Sequence, residues 1–328
     1  MVGSVLITGG AGYIGSQTAK AMAAAGFTPV VLDDLSTGFA DSVRWGPFVA
    51  GKIDDGVLLR KVIAEHHIAG VVHFAASTSV GESMAAPRKY FQNNLVSTLA
   101  LLNTLVDSGV RHFVFSSTAA VYGTPNHVPI EEDHPKSPIN PYGEGKLFIE
   151  RALHWYAQAY GLTYTALRYF NAAGADPDGE TGERHSPESH LIPLVVQTAL
   201  GQHPILDILG TDYPTRDGTA IRDYVHTADL AEAHRIALQY LLDGAPSLCL
   251  NLGTGNGYSV SEVIAAVERA SGRTVAVRHA ARRQGDPPSL VANPGKAMRI
   301  LGWKPAYSEL NTIVETAWRW HAVSKLNR

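Results

Sequence analysis

A tyrosine and a lysine lie four residues apart, at Tyr142 and Lys146, within the segment NPYGEGK. Asn140 is a good helix N-cap and Pro141 suits a first helical position, so the pair is predicted to share one face of a helix. A phenol with its ordinary pKa of about 10 is a poor base at neutral pH, but a neighbouring ammonium group favours the phenolate and lowers that pKa. The spacing therefore indicates a pair that can exchange a proton with a substrate hydroxyl group. A surface pair on an amphipathic helix is the alternative interpretation.

The hydroxyl of Thr118 is the third group of this predicted reaction centre. It follows the run His112–Ser117, which is typical of a strand, and precedes the helix that carries Tyr142. A hydroxyl both donates and accepts, so Thr118 could bridge a substrate hydroxyl and the phenol. Threonine at a strand end is also a common turn former, which is the alternative interpretation of this residue taken alone.

Glycines recur near the start of the sequence, in the segment Val5–Gly15, VLITGGAGYIG. Gly10, Gly12 and Gly15 fit the spacing G-x-G-x-x-G, and Gly9 begins an overlapping G-x-x-G-x-x-G. A strand before these glycines and a helix after them would bring the backbone and the helix N-terminus against a pyrophosphate. The pattern predicts a dinucleotide-binding loop, and a glycine-rich turn in a buried β-α unit is the alternative.

An aspartate at the end of the next apolar run favours a dinucleotide-binding loop over a glycine-rich turn without a ligand. The run Pro29–Leu32 reads as a second strand, and Asp33 follows it about 20 residues after the glycines, where an acid would hold the adenosine ribose hydroxyls. A carboxylate there repels a 2′-phosphate, and no arginine or lysine follows within the next few residues. The sequence therefore predicts NAD as the cofactor, in preference to NADP.

Short apolar runs alternate with helical stretches from Val5 to about Phe170, which is typical of an α/β fold. We predict a Rossmann-type, doubly wound parallel sheet with ligands beyond the carboxyl ends of its strands. Segments 74–79, 116–118 and 170–173 would then line the site. The predicted strands are 5–7, 29–32, 47–50, 71–76, 112–117 and 163–169, and the predicted helices are 14–25, 57–66, 88–108, 141–160, 189–200, 225–242 and 259–271.

The length of 328 residues is enough for two domains. We predict an NAD-binding Rossmann domain over residues 1–172 and a smaller C-terminal α/β domain for the substrate over residues 173–328. Residues 223–251 resemble a return to the sheet, so the two domains are predicted to be partly interleaved.

The composition is that of an ordinary globular enzyme, with 45% hydrophobic and 17% charged residues. A net charge of −3 offers no basic patch for nucleic acid or an anionic membrane. No apolar run reaches the roughly 18 residues of a membrane span, and no basic segment precedes the first strand as in a secretory signal. The single cysteine, Cys249, fits a reducing compartment, so we expect a cytoplasmic protein. No residue is assigned to a metal.

Several segments together carry a family resemblance. The general ones are TGGAGYIG at 8–15, FSSTAAVYG at 115–123, PYGEGK at 141–146 and RYFN at 168–171. They resemble the extended short-chain dehydrogenase/reductase family. More specific segments resemble those members that invert C4 of UDP-hexoses: HFAA at 73–76, VGES at 80–83, DYPT at 212–215, DGT at 217–219, RDYVH at 222–226, NLGTG at 251–255 and RRQGD at 282–286. The resemblance runs along essentially the whole chain.

This resemblance implies a role for each matching residue. Tyr142 would be the catalytic base, Lys146 its electrostatic partner and a ligand of the nicotinamide ribose, and Thr118 would bond the sugar 4-hydroxyl. The other NAD-binding positions would be Gly9, Gly12, Tyr13, Ile14, Gly15, Asp33, Ile53, Phe74, Asn93 and Phe170. The other substrate-binding positions would be Asn171, His190, Leu191, Arg222, Arg283, Asp286 and Leu290.

Three positions depart from the family's pattern. Lys52 stands where an aspartate commonly precedes the isoleucine that contacts the adenine, and Thr78 stands where some members carry a lysine near the phosphates. Gly145 replaces a usual serine, and glycine within a helix costs about 1 kcal/mol relative to alanine. None of these changes removes the predicted catalytic pair.

The activity implied is the interconversion of UDP-glucose and UDP-galactose through a transient 4-keto sugar, by a homodimer with tightly bound NAD+. The alternatives are an epimerase of UDP-N-acetylhexosamines or UDP-pentoses, another NAD-dependent nucleotide-sugar enzyme, and a non-catalytic NAD-sensing regulator. A dehydratase of this family would carry an acidic pair directly after Thr118, where Ala119 and Ala120 stand. A regulator would not require Thr118, Tyr142 and Lys146 together. Leu290, intermediate in size at a position near the sugar, predicts weak or no activity on N-acetylated sugars.

Overall fold

Strands and helices alternate along the chain, which the computed structural model describes over residues 3–283 and 285–324. The strands in these residues are β1 Ser4–Thr8, β2 Thr28–Asp33, β3 Phe48–Ala50, β4 Ile68–His73, β5 His112–Thr118, β6 Thr163–Tyr169, β7 Asn171–Ala173, β8 Leu206–Leu209, β9 Ile221–His226, β10 Leu248–Leu252, β11 Gly257–Ser259, β12 Val277–Ala280 and β13 Ser289–Leu290. The α-helices are α1 Tyr13–Ala24, α2 Gly56–His66, α3 Val80–Ala85, α4 Pro87–Tyr90, α5 Ser97–Asp107, α6 Pro141–Tyr160, α7 Leu191–Ala199, α8 Thr227–Leu242, α9 Val260–Ser271, α10 Gly295–Leu301 and α11 Leu310–Ser324. None of these helices is both long enough and apolar enough to cross a membrane.

Seven of the described strands form one parallel sheet, in the order β10-β6-β5-β4-β1-β2-β3. Strand β1 lies inside it, where Thr8 is in register with Leu32 on one side and His73 on the other. The strand order reverses beside β1, and in such sheets a ligand crevice forms at the carboxyl ends of the strands at that point. This arrangement confirms the predicted Rossmann-type α/β fold.

Helices cover both faces of the sheet because its strands are apolar on both sides. Successive residues of β1 point to opposite faces. Val5 and Ile7 join a core that contains α1 and α8, and Leu6 joins a second core that contains α2, α5 and α6. Trp303, which is fully buried, adds to the first core and donates its indole N–H to the carbonyl of Asp229 at 2.9 Å.

Strand β10 brings the chain back to the large sheet after a long excursion. It pairs with β6, from Leu248 opposite Thr165 to Leu252 opposite Tyr169. Helix α8, which precedes β10, packs in the core of the same sheet. The division into domains at residue 172 stays a prediction.

A smaller group of strands surrounds β9, which pairs with β7, β11 and β13. Helices α7, α9 and α11 supply its core, in which Val195, Val263 and Val314 are fully buried. A parallel pair, β8 and β12, belongs to the same half of the chain. Phe170 alone separates β6 of the large sheet from β7 of the small one, so the link between the two sheets at this point is one residue long.

The strand predicted over residues 71–76 lies three residues earlier in the structure, where it begins at Ile68 and ends at His73. The N–H groups of Phe74 and Ala75 both donate to the carbonyl of Thr8, at 2.9 and 3.1 Å. Two donors on one acceptor bend the backbone out of the regular ladder. The chain after β4 therefore turns toward the glycine loop.

Two predicted helices also differ from the observed ones. The helix predicted over residues 88–108 is divided by a π-helical segment, Phe91–Val96. The helix predicted over residues 225–242 begins only at Thr227, because His226 ends β9 and its Nδ1 accepts the N–H of Ala228 at 3.0 Å. Periodicity alone does not reveal a change of hydrogen-bond register or a side-chain cap of this kind.

Candidate active site

Gly9, in the loop between β1 and α1, and Gly15, in the first turn of α1, are needed for close packing of the backbone. A Cβ on Gly9, whose φ is +72°, would lie 2.6 Å from the backbone nitrogen of Ala75. A Cβ on Gly15 would lie 2.2 Å from the carbonyl oxygen of Gly9. Neither contact is compatible with a side chain, so these glycines let the loop pass close to the residues after β4 and to its own helix.

Gly12 has a different environment. Among the described residues, a Cβ there would meet only the Gly9 carbonyl oxygen within 4 Å, at 3.2 Å. Gly12 is the N-cap of α1, and no side chain of the described chain caps this end or places an acid in its first turn. The first N–H groups of a helix have no partner within it and attract anions. The loop therefore has room and free donors for an anion, and the assignment of Gly9, Gly12, Tyr13, Ile14 and Gly15 to NAD stays a prediction.

Asp33 lies at the carboxyl end of β2, beside the glycine loop. Its carboxylate accepts the N–H of Ala11 at 3.0 Å and the N–H of Leu35 at 2.9 Å. Burial raises the pKa of Asp33, and the two hydrogen bonds act in the opposite direction. The predicted contact with the adenosine ribose stays a prediction. The bond to Ala11 shows that the same carboxylate also fixes the glycine loop.

Tyr142, Lys146 and Thr118 meet where β5 ends against α6. Tyr142 is only 8% exposed, as is Thr118. Lys146 is also buried, and its Nζ donates to the carbonyl of Ser116 at 2.7 Å. The same Nζ lies 5.9 Å from the centre of the Tyr142 ring. The three predicted groups therefore form one buried cluster.

Burial dominates the protonation of this cluster. It raises the pKa of Tyr142 to about 12, although a hydrogen bond with the Thr118 side chain acts in the opposite direction. It lowers the pKa of Lys146 to about 7, although the charge of Glu150 opposes the shift. The lowering of the phenol pKa expected from the ammonium is smaller than the effect of burial, so the protein alone holds Tyr142 as the neutral phenol.

Asn140 and Pro141, from which the start of α6 was predicted, do fix that end of the helix. A contact of Gly143, which the sequence did not reveal, fixes it further. The side chain of Asn140 accepts the N–H of Gly143 at 2.8 Å, and Pro141 occupies the first turn. A Cβ on Gly143 would lie 2.6 Å from the carbonyl oxygen of Ala120. Glycine at this position lets the helix that carries Tyr142 approach the turn after Thr118.

The other predicted NAD-binding residues lie on both sides of the glycine loop. Phe74 directly follows β4 and packs against His234, with the ring centres 4.6 Å apart. Ile53 is buried beside α2 and α5, and Phe170 packs against the cluster that follows Thr118. Asn93 is exposed, and its amide lies 3.3 Å from the Ser77 hydroxyl.

Two buried residues next to this site were not identified from the sequence. Asn94 clamps Ser77, by accepting its N–H and donating to its carbonyl, both at 2.8 Å. His73 bridges the hydroxyls of Thr8 and Thr98, at 2.7 and 2.9 Å. Burial lowers the pKa of His73 to about 3, so its ring is neutral and fixed. The one sequence feature that could have identified Asn94 or His73 is weak: each is a polar residue within or beside an apolar run.

The residues predicted to hold the diphosphate lie on the smaller sheet and the loop after β12. Arg222 on β9 forms an ion pair with Asp286. Arg283 and Asp286 line a cleft of about 380 Å³. Arg282 and Tyr213 line the same cleft, with the guanidinium carbon 4.4 Å from the centre of the tyrosine ring. These last two residues were not identified from the sequence, although RRQGD already contains Arg282.

Leu290 and Asn171 connect the smaller sheet with the reaction centre. Leu290 on β13 is in register with Arg222 on β9 and packs against the cluster that contains Ala119 and Tyr122. Asn171 on β7 is in register with Tyr224 on the same strand β9. Leu290, the predicted sugar-side position, therefore lies next to the segment that follows Thr118, and Asn171 lies on the strand beside β9.

His190 and Leu191 lie at the N-terminus of α7, His190 as its N-cap and Leu191 as its first residue. The backbone N–H and the ring Nδ1 of His190 both approach Glu188 Oε1, at 2.9 and 3.0 Å. The ring of His190 is thus engaged with a carboxylate of its own loop, while Leu191 begins a helix whose first N–H groups suit an anion.

Comparison with known proteins agrees with this geometry. The sequence profile of the NAD dependent epimerase/dehydratase family matches residues 5–253, which include the glycine loop and the reaction centre. The chain belongs to this family. The predicted family resemblance is thereby confirmed.

Members of the family with high identity share almost the full length of the chain. A UDP-glucose 4-epimerase of Halalkalibacterium halodurans is 50% identical over 318 residues, which are 97% of this chain and 95% of that protein. The crystal structure of UDP-glucose 4-epimerase from Brucella ovis in complex with NAD is similar, with a TM-score of 0.95, 49% identity and coverage of 97% of this chain and 98% of that one. The enzyme from Bifidobacterium longum in complex with NAD+ and UDP has a TM-score of 0.91, 36% identity and coverage of 98% and 99%.

The substitution Gly12→Ala is expected to separate cofactor binding from folding. Its methyl group has room in the described protein except near the Gly9 carbonyl, so we expect the variant to fold and to retain much less NAD. Gly15→Ala is the matched control, because its Cβ would collide at 2.2 Å and overpacking costs about 1–3 kcal/mol of stability. Thermal unfolding and the NAD released from the purified protein measure the two effects. An NAD content equal to that of the wild type in Gly12→Ala would contradict this assignment.

Proposed function

We propose that this protein interconverts UDP-glucose and UDP-galactose by inverting the configuration at C4 of the sugar, with NAD+ as a resident cofactor. The observation that carries the proposal is the buried cluster of Thr118, Tyr142 and Lys146, next to an uncapped glycine-rich helix start. The relatives and solved structures described above are named for the same reaction.

The residues around the glycine loop would hold NAD+. Gly12 and the first turn of α1 would face the pyrophosphate, Asp33 the adenosine ribose, and Lys146 the nicotinamide ribose. When it is bound, NAD+ supplies the redox step, by accepting the hydride of sugar C4 and returning it later, and its positive charge favours the Tyr142 phenolate.

Tyr142 would take the proton of the sugar 4-hydroxyl as C4 loses its hydride and becomes a carbonyl. The Thr118 hydroxyl would bridge the two oxygens and keep them in line for the transfer. Lys146, held by the Ser116 carbonyl, would keep a positive charge near the phenolate. The same phenol would return the proton once the hydride has come back to the opposite face of C4, so the proton and hydride balance over one cycle.

Inversion requires a firmly held nucleotide and a loosely held sugar. Arg222 and Arg283 would bind the diphosphate, because the guanidinium fork matches phosphate oxygens, and Asp286 would bind the ribose of the UDP. The 4-keto sugar could then turn within the site while its UDP stays in place. A pocket that bound one orientation of the 4-hydroxyl tightly would not run the reaction in both directions.

Incubation of the purified protein with UDP-galactose tests this proposal. We expect UDP-glucose to form without added cofactor, because NAD+ should remain bound through complete cycles. Chromatographic separation of the two nucleotide sugars measures the product. The absence of UDP-glucose even after NAD+ is supplied would contradict the proposal.

Tyr142→Phe should keep bound NAD but lose at least about a hundredfold in turnover, the usual size of a lost general acid–base contribution. Tyr160→Phe, at the exposed end of the same helix, is the matched control and should remain fully active. The rate of UDP-galactose conversion and the NAD content are the measurements. Substantial residual activity in Tyr142→Phe with normal NAD content would remove this residue from its assigned role.

UDP-N-acetylglucosamine should be a poor substrate because Leu290 fills space beside Phe170 and the residues after Thr118. Leu290→Ala should raise kcat/KM for this substrate relative to UDP-galactose by about tenfold, the usual effect of relieved crowding in a pocket. Competition between the two substrates measures the ratio. Comparable rates of the wild type on both would overturn this part of the proposal.

The family resemblance implies a homodimer through the helices predicted over 88–108 and 141–160, and an apolar surface on both segments supports it. Phe148 and Trp155, two turns apart on α6, are 50% and 65% exposed. Phe91 and Val96, in the neighbouring π-helical segment, are 37% and 47% exposed. A second copy of the chain would remove these side chains from water. A cytoplasmic location stays a prediction.

The double substitution Phe148→Glu with Trp155→Glu should shift the protein from dimer to monomer, because it would place charges in the apolar contact. Val57→Glu, on the exposed side of α2, is the control and should leave the mass unchanged. Sedimentation velocity at several protein concentrations distinguishes the two states. A wild type that sediments as a monomer would refute the proposed dimer.

A further inference from the structure

Four side chains converge in the loop that precedes α7. Glu183, His185, Glu188 and His190 have the spacing E-x-H-x-x-E-x-H, and their nearest side-chain N and O atoms all lie within 4.8 Å of one another. Glu183 is buried, and the side chain of Glu188 is 5% exposed. Two carboxylates and two imidazoles thus face a single point, and of these four only His190 is among the predicted substrate-binding positions.

These atoms are close enough together to surround one small ion. Glu183 Oε1 lies 3.0 Å from His185 Nδ1 and 2.8 Å from His190 Nδ1, and Glu188 Oε1 lies 3.0 Å from His190 Nδ1. Glu188 Oε2 lies 3.9 Å from His185 Nδ1. Four ligands at about 2.0 Å from a zinc ion are about 3.3 Å from one another, a value inside this range.

One buried oxygen of the cluster has no hydrogen bond. Glu188 Oε2 is buried and lacks a partner among the described residues, while Glu188 Oε1 is engaged with His190. A buried carboxylate oxygen without a donor is unfavourable, by about 1–3 kcal/mol or more for a charged group. A cation at the centre of the cluster would satisfy it.

A second acidic cluster in the same loop already has a positively charged side chain at its centre. Asp176, Asp178 and Glu180 surround Lys20, whose Nζ lies 2.8, 2.7 and 2.6 Å from their carboxylates. The ammonium of α1 already supplies the positive charge there. No lysine or arginine of the described chain forms a salt bridge with Glu183 or Glu188.

We propose that Glu183, His185, Glu188 and His190 bind one zinc-type divalent ion. Two nitrogen and two oxygen ligands suit Zn²⁺, whereas Mg²⁺ and Ca²⁺ prefer sets of oxygen ligands alone. Four protein ligands complete a tetrahedron and leave no open position, so the ion is structural and takes no part in the chemistry. The ring of His190 then belongs to this site, and Leu191 remains available to the UDP.

The ion would stabilise the loop against the start of α1. The His185 ring lies 6.5 Å from the Tyr13 ring, edge to face, and the Tyr13 hydroxyl donates to the Gly174 carbonyl at 2.5 Å. The indole of Trp320 on α11 donates to the Glu183 carbonyl at 3.1 Å. The site would thus tie one loop to the glycine-loop helix and to α11, independently of the reaction that the protein carries out.

Titration of the full chain with Zn²⁺ tests this proposal. The protein, with any purification tag removed, is dialysed against a chelator and then titrated in competition with a chromophoric chelator. We expect one Zn²⁺ per chain and a rise in the thermal unfolding temperature with Zn²⁺. His185→Ala and Glu188→Gln should each bind at least tenfold more weakly and lose most of that rise. His279→Ala, on exposed β12, is the matched control and should behave as the wild type.

Co²⁺ supplies a second measurement that does not depend on the variants. The wild type loaded with Co²⁺ should show the intense visible absorption of a four-coordinate ion. A weak, octahedral spectrum would overturn the proposed geometry. A wild type that binds no Zn²⁺, or His185→Ala and Glu188→Gln proteins that bind it as tightly as the wild type, would overturn the site itself.

Discussion

The buried ion pair between Glu150 and Arg168 is the interaction on which the reaction centre depends most directly. Arg168 donates two hydrogen bonds to Glu150, at 2.9 and 2.6 Å, and both side chains are almost fully buried. The hydroxyl of Ser117 donates to the same carboxylate at 2.5 Å, and Arg168 also donates to the hydroxyl of Tyr122 at 2.9 Å. The pair therefore connects β5, β6, α6 and the turn after Thr118.

Breaking this pair would be costly. Removal of one partner from a buried ion pair leaves an uncompensated charge, at about 3–5 kcal/mol. Glu150 lies one helical turn after Lys146, and its charge is the one that opposes the loss of the Lys146 proton on burial. The same carboxylate thus holds the strands together and helps to keep a positive charge beside Tyr142.

Much of the fold and of the reaction centre could be predicted because the signals are local. Asn140 and Pro141 mark the start of α6, Gly26 with a φ of +87° follows α1, and the alternation of apolar runs predicts six of the seven strands of the large sheet in the described chain. The roles of the individual site residues remain predictions. What the sequence did not reveal depends on contacts between distant segments. Such contacts include Gly143 against Ala120.

The same distinction applies to the hydrogen bonds that support the site. Three of these bonds join distant residues: Asp33 with Ala11, Asn94 with Ser77, and His73 with two threonines. The partners are at least 17 positions apart in the sequence, and His73 and Thr8 are 65 apart. A single sequence shows the polar residue but not its partner. A change within a helix, such as the π-helical turn at Phe91–Val96, is likewise decided by packing and not by propensity.

The one-residue link at Phe170 limits how the sugar can turn over. Strand β6 lies beside Thr118 on β5, and β7 runs beside the strand that carries Arg222, so at this crossing only Phe170 separates the two halves of the cleft along the chain. A hinge that short allows little swing of one sheet relative to the other. In the proposed reaction, the half-turn that exposes the opposite face of the sugar would then come from rotation about the bonds of the diphosphate, with the protein acting as a fixed frame around a moving ligand.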